Sequence, residues 1–133
     1  ILDLMIDLKE KRDGAAILLI THDLAVIAET CDRVIVMYGG KIQEIATVEE
    51  LFKNPLHPYT KALMDSIPKM NEKVKRLQAL KGMVPSILEM GDGCKLCSRF
   101  DPEDCACAGT GEEPKLIEAT SNHFVRCNPK VLK

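Results

Sequence analysis

No stretch of this 133-residue chain approaches the roughly 20 consecutive apolar residues that cross a bilayer, and its N-terminus carries no basic segment leading into an apolar one. A soluble, cytosolic chain is expected, brought to a membrane only by a partner. Charge of one sign is also lacking: 18 basic against 20 acidic residues leave a formal net charge of −2, without the footprint of a nucleic-acid binder. No G-x-x-x-x-G-K-S/T occurs anywhere. Without that loop there is no cradle of backbone N–H groups for nucleotide phosphates and no loop hydroxyl for magnesium, so the chain alone is not expected to turn over a nucleoside triphosphate. Cysteine is scarce over the first 93 residues, where only Cys31 occurs. It is then abundant, with Cys94, Cys97, Cys105, Cys107 and Cys127 in the last 40.

What is present begins with AAILLI at 15–20, running into Thr21-His22-Asp23-Leu24. A short continuous apolar run reads as a strand covered on both faces, as in a parallel sheet, and ligands of such sheets lie beyond the carboxyl ends of the strands. His22 falls at that end. Before it, ILDLMIDLKEK reads as an amphipathic helix with Ile1, Leu4, Met5 and Leu8 on one face, and Gly14 shortly after its end. The chain opens within this helix and not at a Met, which reads as the C-terminal part of a larger polypeptide.

After His22, the spacing of Leu24, Ile27, Ala28 and Cys31 predicts a helix that turns Cys31 towards the core, where a free cysteine behaves as a small hydrophobe. RVIVMY and KIQEIA flank Gly39-Gly40, a two-residue hairpin signal. Thr47-x-x-Glu50 is a capping box opening a helix that Asn54-Pro55 stops. Pro58 suits the first turn of the next helix, with Tyr59, Ala62, Leu63 and Ile67 at helical spacing; His57 and Tyr59, with no acid or metal ligand beside them, read as packing and turn residues. Asn71 precedes a charged helix with Val74, Leu77 and Leu80 on one stripe, ended by Gly82.

Beyond Gly82 the chain is rich in Gly, Pro, Cys and Asp and poor in large apolar residues, so something other than a core must staple it. The cysteines run Cys94-x2-Cys97-x7-Cys105-x-Cys107-x19-Cys127. In a reducing cytosol such a set favours metal ligation or redox work over disulfides. A C-x2-C turn brings two thiolates to one centre, and a distant cysteine closes the set, as structural zinc or a 4Fe–4S cluster requires. Spacing alone leaves both open.

ILLITHDLAVIAETCDRVIVMYGGKI resembles the stretch of ATP-binding cassette ATPases that carries their switch histidine. TVEELFKNPLHPYTKALMDSIP resembles the segment that marks the oligopeptide and dipeptide transporter branch, and LKGMVPSILEMGDGC with the closing HFVRC resembles its cysteine-bearing tail. Neither a helix start like LSGGQ nor an apolar strand ending in Asp-Glu is present. The resemblance implies the C-terminal part of an ATPase subunit that powers peptide import, with His22 against the γ-phosphate of ATP and the magnesium ligands, phosphate lysine and acidic base upstream of Ile1. It implies transmembrane permease subunits, a second ATP-binding subunit in a homo- or heterodimer, a peptide-binding protein outside, no nucleic acid, and a place on the cytoplasmic face of the membrane.

Some members of that branch hold a 4Fe–4S cluster on four tail cysteines. Set against the branch's usual spacing without gaps, Cys94, Cys107 and Cys127 fill the first, third and last positions, while the second falls on Phe100. Cys97 then takes that role; a gapped reading gives it to Cys105. The implied set is Cys94, Cys97, Cys107 and Cys127, with sets containing Cys105 as the alternative and zinc as the alternative metal.

The expected fold is therefore α/β: residues 1–70 as the end of a P-loop nucleotide domain (parallel strand, helix, hairpin, helices), and residues 71–133 as a small irregular cysteine-rich tail. The rival reading, from a different class, is a metal-binding or redox-sensing interaction module without its own ATPase activity, in which the α/β part is a platform.

Overall fold

Gly39 and Gly40 take φ of +55° and +73°, the positive pair that a tight two-residue hairpin needs, and join β1 (Arg33–Tyr38) to β2 (Lys41–Thr47). The hairpin lies in a computed structural model that describes residues 1–67, 82–86, 88–90, 93–100, 107 and 111–127. Its strands pair antiparallel from Arg33↔Thr47 to Tyr38↔Lys41, with an irregularity between Val36 and Met37. Side chains alternate across the pleat, so Val34 and Tyr38 are buried while Ile35 and Met37 are exposed. Val34, Ala46 and Leu51 form the core, packed by Ile27, Val36, Val48 and Met64.

The helices start where the sequence supplies caps. The Asp23 carboxylate accepts the N–H groups of Ala25 and Val26 and opens α2 (Leu24–Thr30). Thr47 Oγ1 accepts the Glu50 N–H at 3.2 Å and opens α3 (Val48–Lys53), as the capping box predicts. Pro58 begins α4 (Pro58–Asp65), where its missing N–H costs nothing, and His57 is the cap. The first helix, α1 (Leu2–Glu10), forms but buries none of its residues. Lys9 ties it to Asp32 by an ion pair of 2.7 Å.

Three features depart from expectation. Residues 15–20 form no strand, and Ile17, Leu18 and Ile20 are 42%, 84% and 91% exposed. A strand exists only as one side of a hydrogen-bonded pair, and among the described residues nothing pairs with this run. Cys31 lies beyond the end of α2 in extended backbone and is half-buried, because the helix closes one residue earlier than its apolar spacing suggests. The tail is not wholly irregular: β3 (Leu116–Thr120) and β4 (His123–Arg126) form a second hairpin, and β4 pairs with β2 through Glu44↔Val125 and Ile45↔Phe124. One antiparallel sheet in the order β1-β2-β4-β3 results. The helix expected from Asn71 lies outside the described residues.

Candidate metal centre

The sheet delivers one cysteine and a short loop delivers two more. Cys127 follows β4 directly and takes φ of +52°, turning the chain at the strand end. Cys94 and Cys97 lie in the 93–100 segment, which a single 3-10 turn (Cys97–Arg99) closes and which Leu96, 2% exposed, anchors. Gly93 sets the entry to that loop. At φ of +86° it passes so close to the backbone of Gly111 that a Cβ would stand 2.9 Å from the Gly111 carbonyl oxygen.

The sulfurs converge. Cys107 Sγ lies 2.9 Å from Cys127 Sγ and 3.2 Å from Cys97 Sγ. The Sγ atoms of Cys94, Cys107 and Cys127 all lie within 4.8 Å of one another. Cys107 and Cys127 are buried, with Cys94, Cys97 and Phe100 packed against them. The Cys94 thiol is pulled down to about 4, first by its hydrogen bond with Cys127 and then by the Leu96 N–H and the thiols of Cys107 and Cys97, all against the cost of burial. A thiolate is the form that binds a metal. Cys105 lies outside the described residues.

Two arginines brace this pocket against the sheet. The Arg99 guanidinium sits 5.7 Å from the Tyr38 ring centre and donates to Tyr38 Oη at 3.2 Å and to the Gly82 carbonyl at 3.0 Å. Tyr38 in turn meets Tyr59 of α4 edge-on, with ring centres 5.0 Å apart. Arg126, next to Cys127, donates to the carbonyls of Ile42 and Pro114 and pairs with Glu113, which also pairs with Lys41 at 3.1 Å.

A buried polar junction joins β2, β4 and the turn before α4. Glu44 in β2 is fully buried, and its carboxylate accepts the backbone N–H groups of Leu56 at 2.7 Å and His57 at 3.1 Å. His123, also fully buried, brings Nε2 to 2.6 Å from the same carboxylate. Two N–H donors from the turn before α4 and one ring nitrogen from β4 therefore meet at one acid. The His57 ring, 2% exposed, uses Nδ1 to accept the Tyr59 N–H at 3.0 Å. Burial lowers its pKa to about 4, which keeps it neutral and its lone pair free for the cap. The only signal for this junction was a Glu among apolar strand residues, and its partners lie 12, 13 and 79 positions away.

His22 stands apart from these groups. It is exposed, in the bend between residues 15–20 and α2, where neighbouring Thr21 accepts the Asp23 N–H at 3.0 Å. Among the described residues the one group of His, Cys, Asp or Glu side chains placed to hold a metal is the cysteine group.

Comparison with known proteins finds a family model, the oligopeptide/dipeptide transporter C-terminal region, matching residues 43–107. The chain is 44% identical over 127 residues to the oligopeptide transport ATP-binding protein AppD of Bacillus subtilis, covering 96% of this chain and 38% of that protein. It is 45% identical over 128 residues to the probable peptide ABC transporter ATP-binding protein y4tR of Sinorhizobium fredii, covering 96% and 37%. With the dipeptide transport ATP-binding protein DppD of Haemophilus influenzae the identity is 43% over 132 residues, covering 96% and 38%. The chain spans under two fifths of the length of these curated relatives.

Proposed function

From the match of residues 43–107 to the oligopeptide/dipeptide transporter C-terminal region, we propose that the chain belongs to that family and serves as the C-terminal part of the ATP-binding subunit of a peptide-importing ABC transporter, with a thiolate metal centre in its tail. The observation that carries the transporter reading is the identity of 43–45% along 96% of the chain with ATP-binding proteins of that kind. On this reading ATP and magnesium are held by segments beyond this chain, and the protein works at the cytoplasmic face of a membrane. Transmembrane permeases and a second ATP-binding subunit are its partners. The apolar run at 15–20, largely exposed here, suits a strand that those other segments flank.

His22 is the residue of this chain assigned to catalysis. An exposed imidazole at the end of that run is open to a nucleotide bound by other segments. There it would accept a hydrogen bond from the attacking water, or donate one to the γ-phosphate, and stabilise charge that develops only during transfer. In a protein extended upstream to include a phosphate loop, His22→Ala is expected to lower turnover by roughly 10²- to 10⁴-fold and to leave nucleotide affinity within a few-fold. Equal losses in both would overturn the assignment.

For the tail, Cys94, Cys97, Cys107 and Cys127 fit the chemistry of a metal centre, since they offer soft donors around a buried space and Cys94 is poised as a thiolate. A structural metal there supplies the cross-link that a segment with few apolar residues lacks. The Sγ atoms of Cys94, Cys107 and Cys127, within 4.8 Å of one another, and Cys97 Sγ, 3.2 Å from Cys107 Sγ, are gathered on the scale of a single ion, whose thiolate ligands at about 2.3 Å stand about 3.8 Å apart. A 4Fe–4S cluster, with one thiolate on each iron, asks for a wider set. The spacing thus favours zinc, and the resemblance favours the cluster. The same convergence of sulfurs also supports the rival reading, in which the metal centre is itself the function. ATP turnover by the upstream-extended protein that is unchanged by removing the metal and abolished by His22→Ala would favour the transporter reading.

A further inference from the structure

The buried junction at Glu44 connects two parts of the molecule that share no sequence neighbourhood. On one side is β4, a four-residue strand held to β2 by two residue pairs and leading straight into Cys127. On the other is the turn at 54–57, from which α4 starts. Val125 lies directly opposite Glu44 in the sheet, and among the described residues His123, two residues before it on the same face, is the one side chain from the tail that reaches the carboxylate. The turn is held to the sheet by the same group, through the N–H groups of Leu56 and His57.

A carboxylate buried this completely is tolerated only while its acceptor sites are filled. β4 is also paired with β3 from Leu116↔Arg126 to Thr120↔His123, and Arg126 donates to the Ile42 carbonyl of β2. Val125 is its one fully buried apolar side chain, and His123 Nδ1, like Thr60 Oγ1 in the first turn of α4, is buried without a hydrogen-bond partner. At its C-terminal end the strand is held by Arg126 and, one residue further on, by Cys127 among the other sulfurs.

We propose that Glu44 and His123 are positioning residues through which occupancy of the cysteine centre sets the order of the 54–57 turn and the start of α4. The inference rests on the metal reading above. With the centre filled, Cys127 is fixed, β4 keeps its register, and His123 completes the shell of Glu44, which then holds Leu56 and His57. When the centre empties, β4 frays from its Cys127 end, His123 withdraws, and the carboxylate, now short of one donor, draws in water and loosens its hold on the turn. A second path exists and competes with this one: Arg99 of the cysteine loop touches Tyr38, which touches Tyr59 of α4.

Amide hydrogen exchange at Leu56 and His57, read by NMR in the 133-residue chain with zinc bound and after chelation, tests the proposal. Both amides are expected to exchange about tenfold faster once zinc is removed, the scale of losing a hydrogen bond to a charged group. In His123→Leu, zinc content should stay at the wild-type level while the two amides exchange fast with or without zinc. Tyr38→Leu, which cuts the other path, should leave the zinc response of these amides intact. The wild-type measurement needs no variant to fold. Zinc bound, with Leu56 and His57 exchange indifferent to its removal, would overturn the proposal and leave the metal reading standing. A response that survives in His123→Leu would also overturn it, by assigning the coupling to another route. A chain that takes up neither zinc nor iron would overturn both.

Discussion

Glu44 and His123, 79 positions apart, bring Oε1 and Nε2 to 2.6 Å with both side chains fully excluded from solvent. This contact, with the two backbone N–H groups on the same carboxylate, joins the first hairpin, the turn before α4 and the tail. Removing one partner strands the other. His123→Leu is expected to destabilise the fold by about 2–4 kcal/mol, the cost of leaving a buried charge short of donors. Glu44→Gln, which keeps an acceptor of the same shape, should cost less. Urea unfolding of the two variants measures both, and equal losses would mean that packing, and not the hydrogen bonds, carries the contact.

His57 gives the fold a defined response to acid. Its pKa is about 4 in the folded chain because of burial, against 6.5 when exposed. Between those values the unfolded chain binds more protons than the folded one, so stability is full above pH 6.5 and falls as the pH drops towards 4. The loss approaches about 3 kcal/mol. His57→Asn keeps a capping side chain but has no proton to bind, and should flatten the stability profile in this window. Denaturant midpoints at pH 7.5 and pH 5 for both proteins provide the check. Parallel profiles would assign the acid response to other groups.

The close approach of Gly93 to Gly111 predicts a site-specific effect of one methyl group. Gly93→Ala places Cβ 2.9 Å from a backbone oxygen at φ of +86°, whereas Gly40→Ala, at φ of +73°, meets nothing within 4 Å. Both carry the strain of a left-handed residue, on the order of 1–2 kcal/mol. Only Gly93→Ala should also displace Cys94 and weaken metal binding. Thermal unfolding and metal titration of the pair separate the two effects, and equal metal affinity would show that the loop yields without moving its thiol.

The sequence was most readable where structure is local. Gly39-Gly40, Thr47 with Glu50, and Pro58 each act within a few residues, and each stands where its chemistry placed it. The cysteine spacing also pointed to side chains that gather, although not to what they hold. Distant pairing hid the rest. The 15–20 run has the composition of a buried strand, but a strand depends on neighbours, and here Leu18 and Ile20 face solvent. β3 and β4 are short and weakly alternating, and β4 is fixed by partners some 80 residues earlier on β2, so the tail read as irregular. Nothing local marks Glu44, one residue of the KIQEIA arm, as buried. Its role follows from the turn and strand that fold onto it.

Iron and zinc content, with the absorption spectrum, of anaerobically purified chain beside its Cys127→Ser and Cys105→Ser variants tests the account most directly. The account predicts one metal centre per chain in the wild type and in Cys105→Ser, and none in Cys127→Ser, whose sulfur lies among the others. Zinc would leave the protein colourless; a cluster would add acid-labile sulfide and broad absorption near ~400 nm. Wild-type protein with neither metal, or equal metal content in Cys127→Ser, would contradict it.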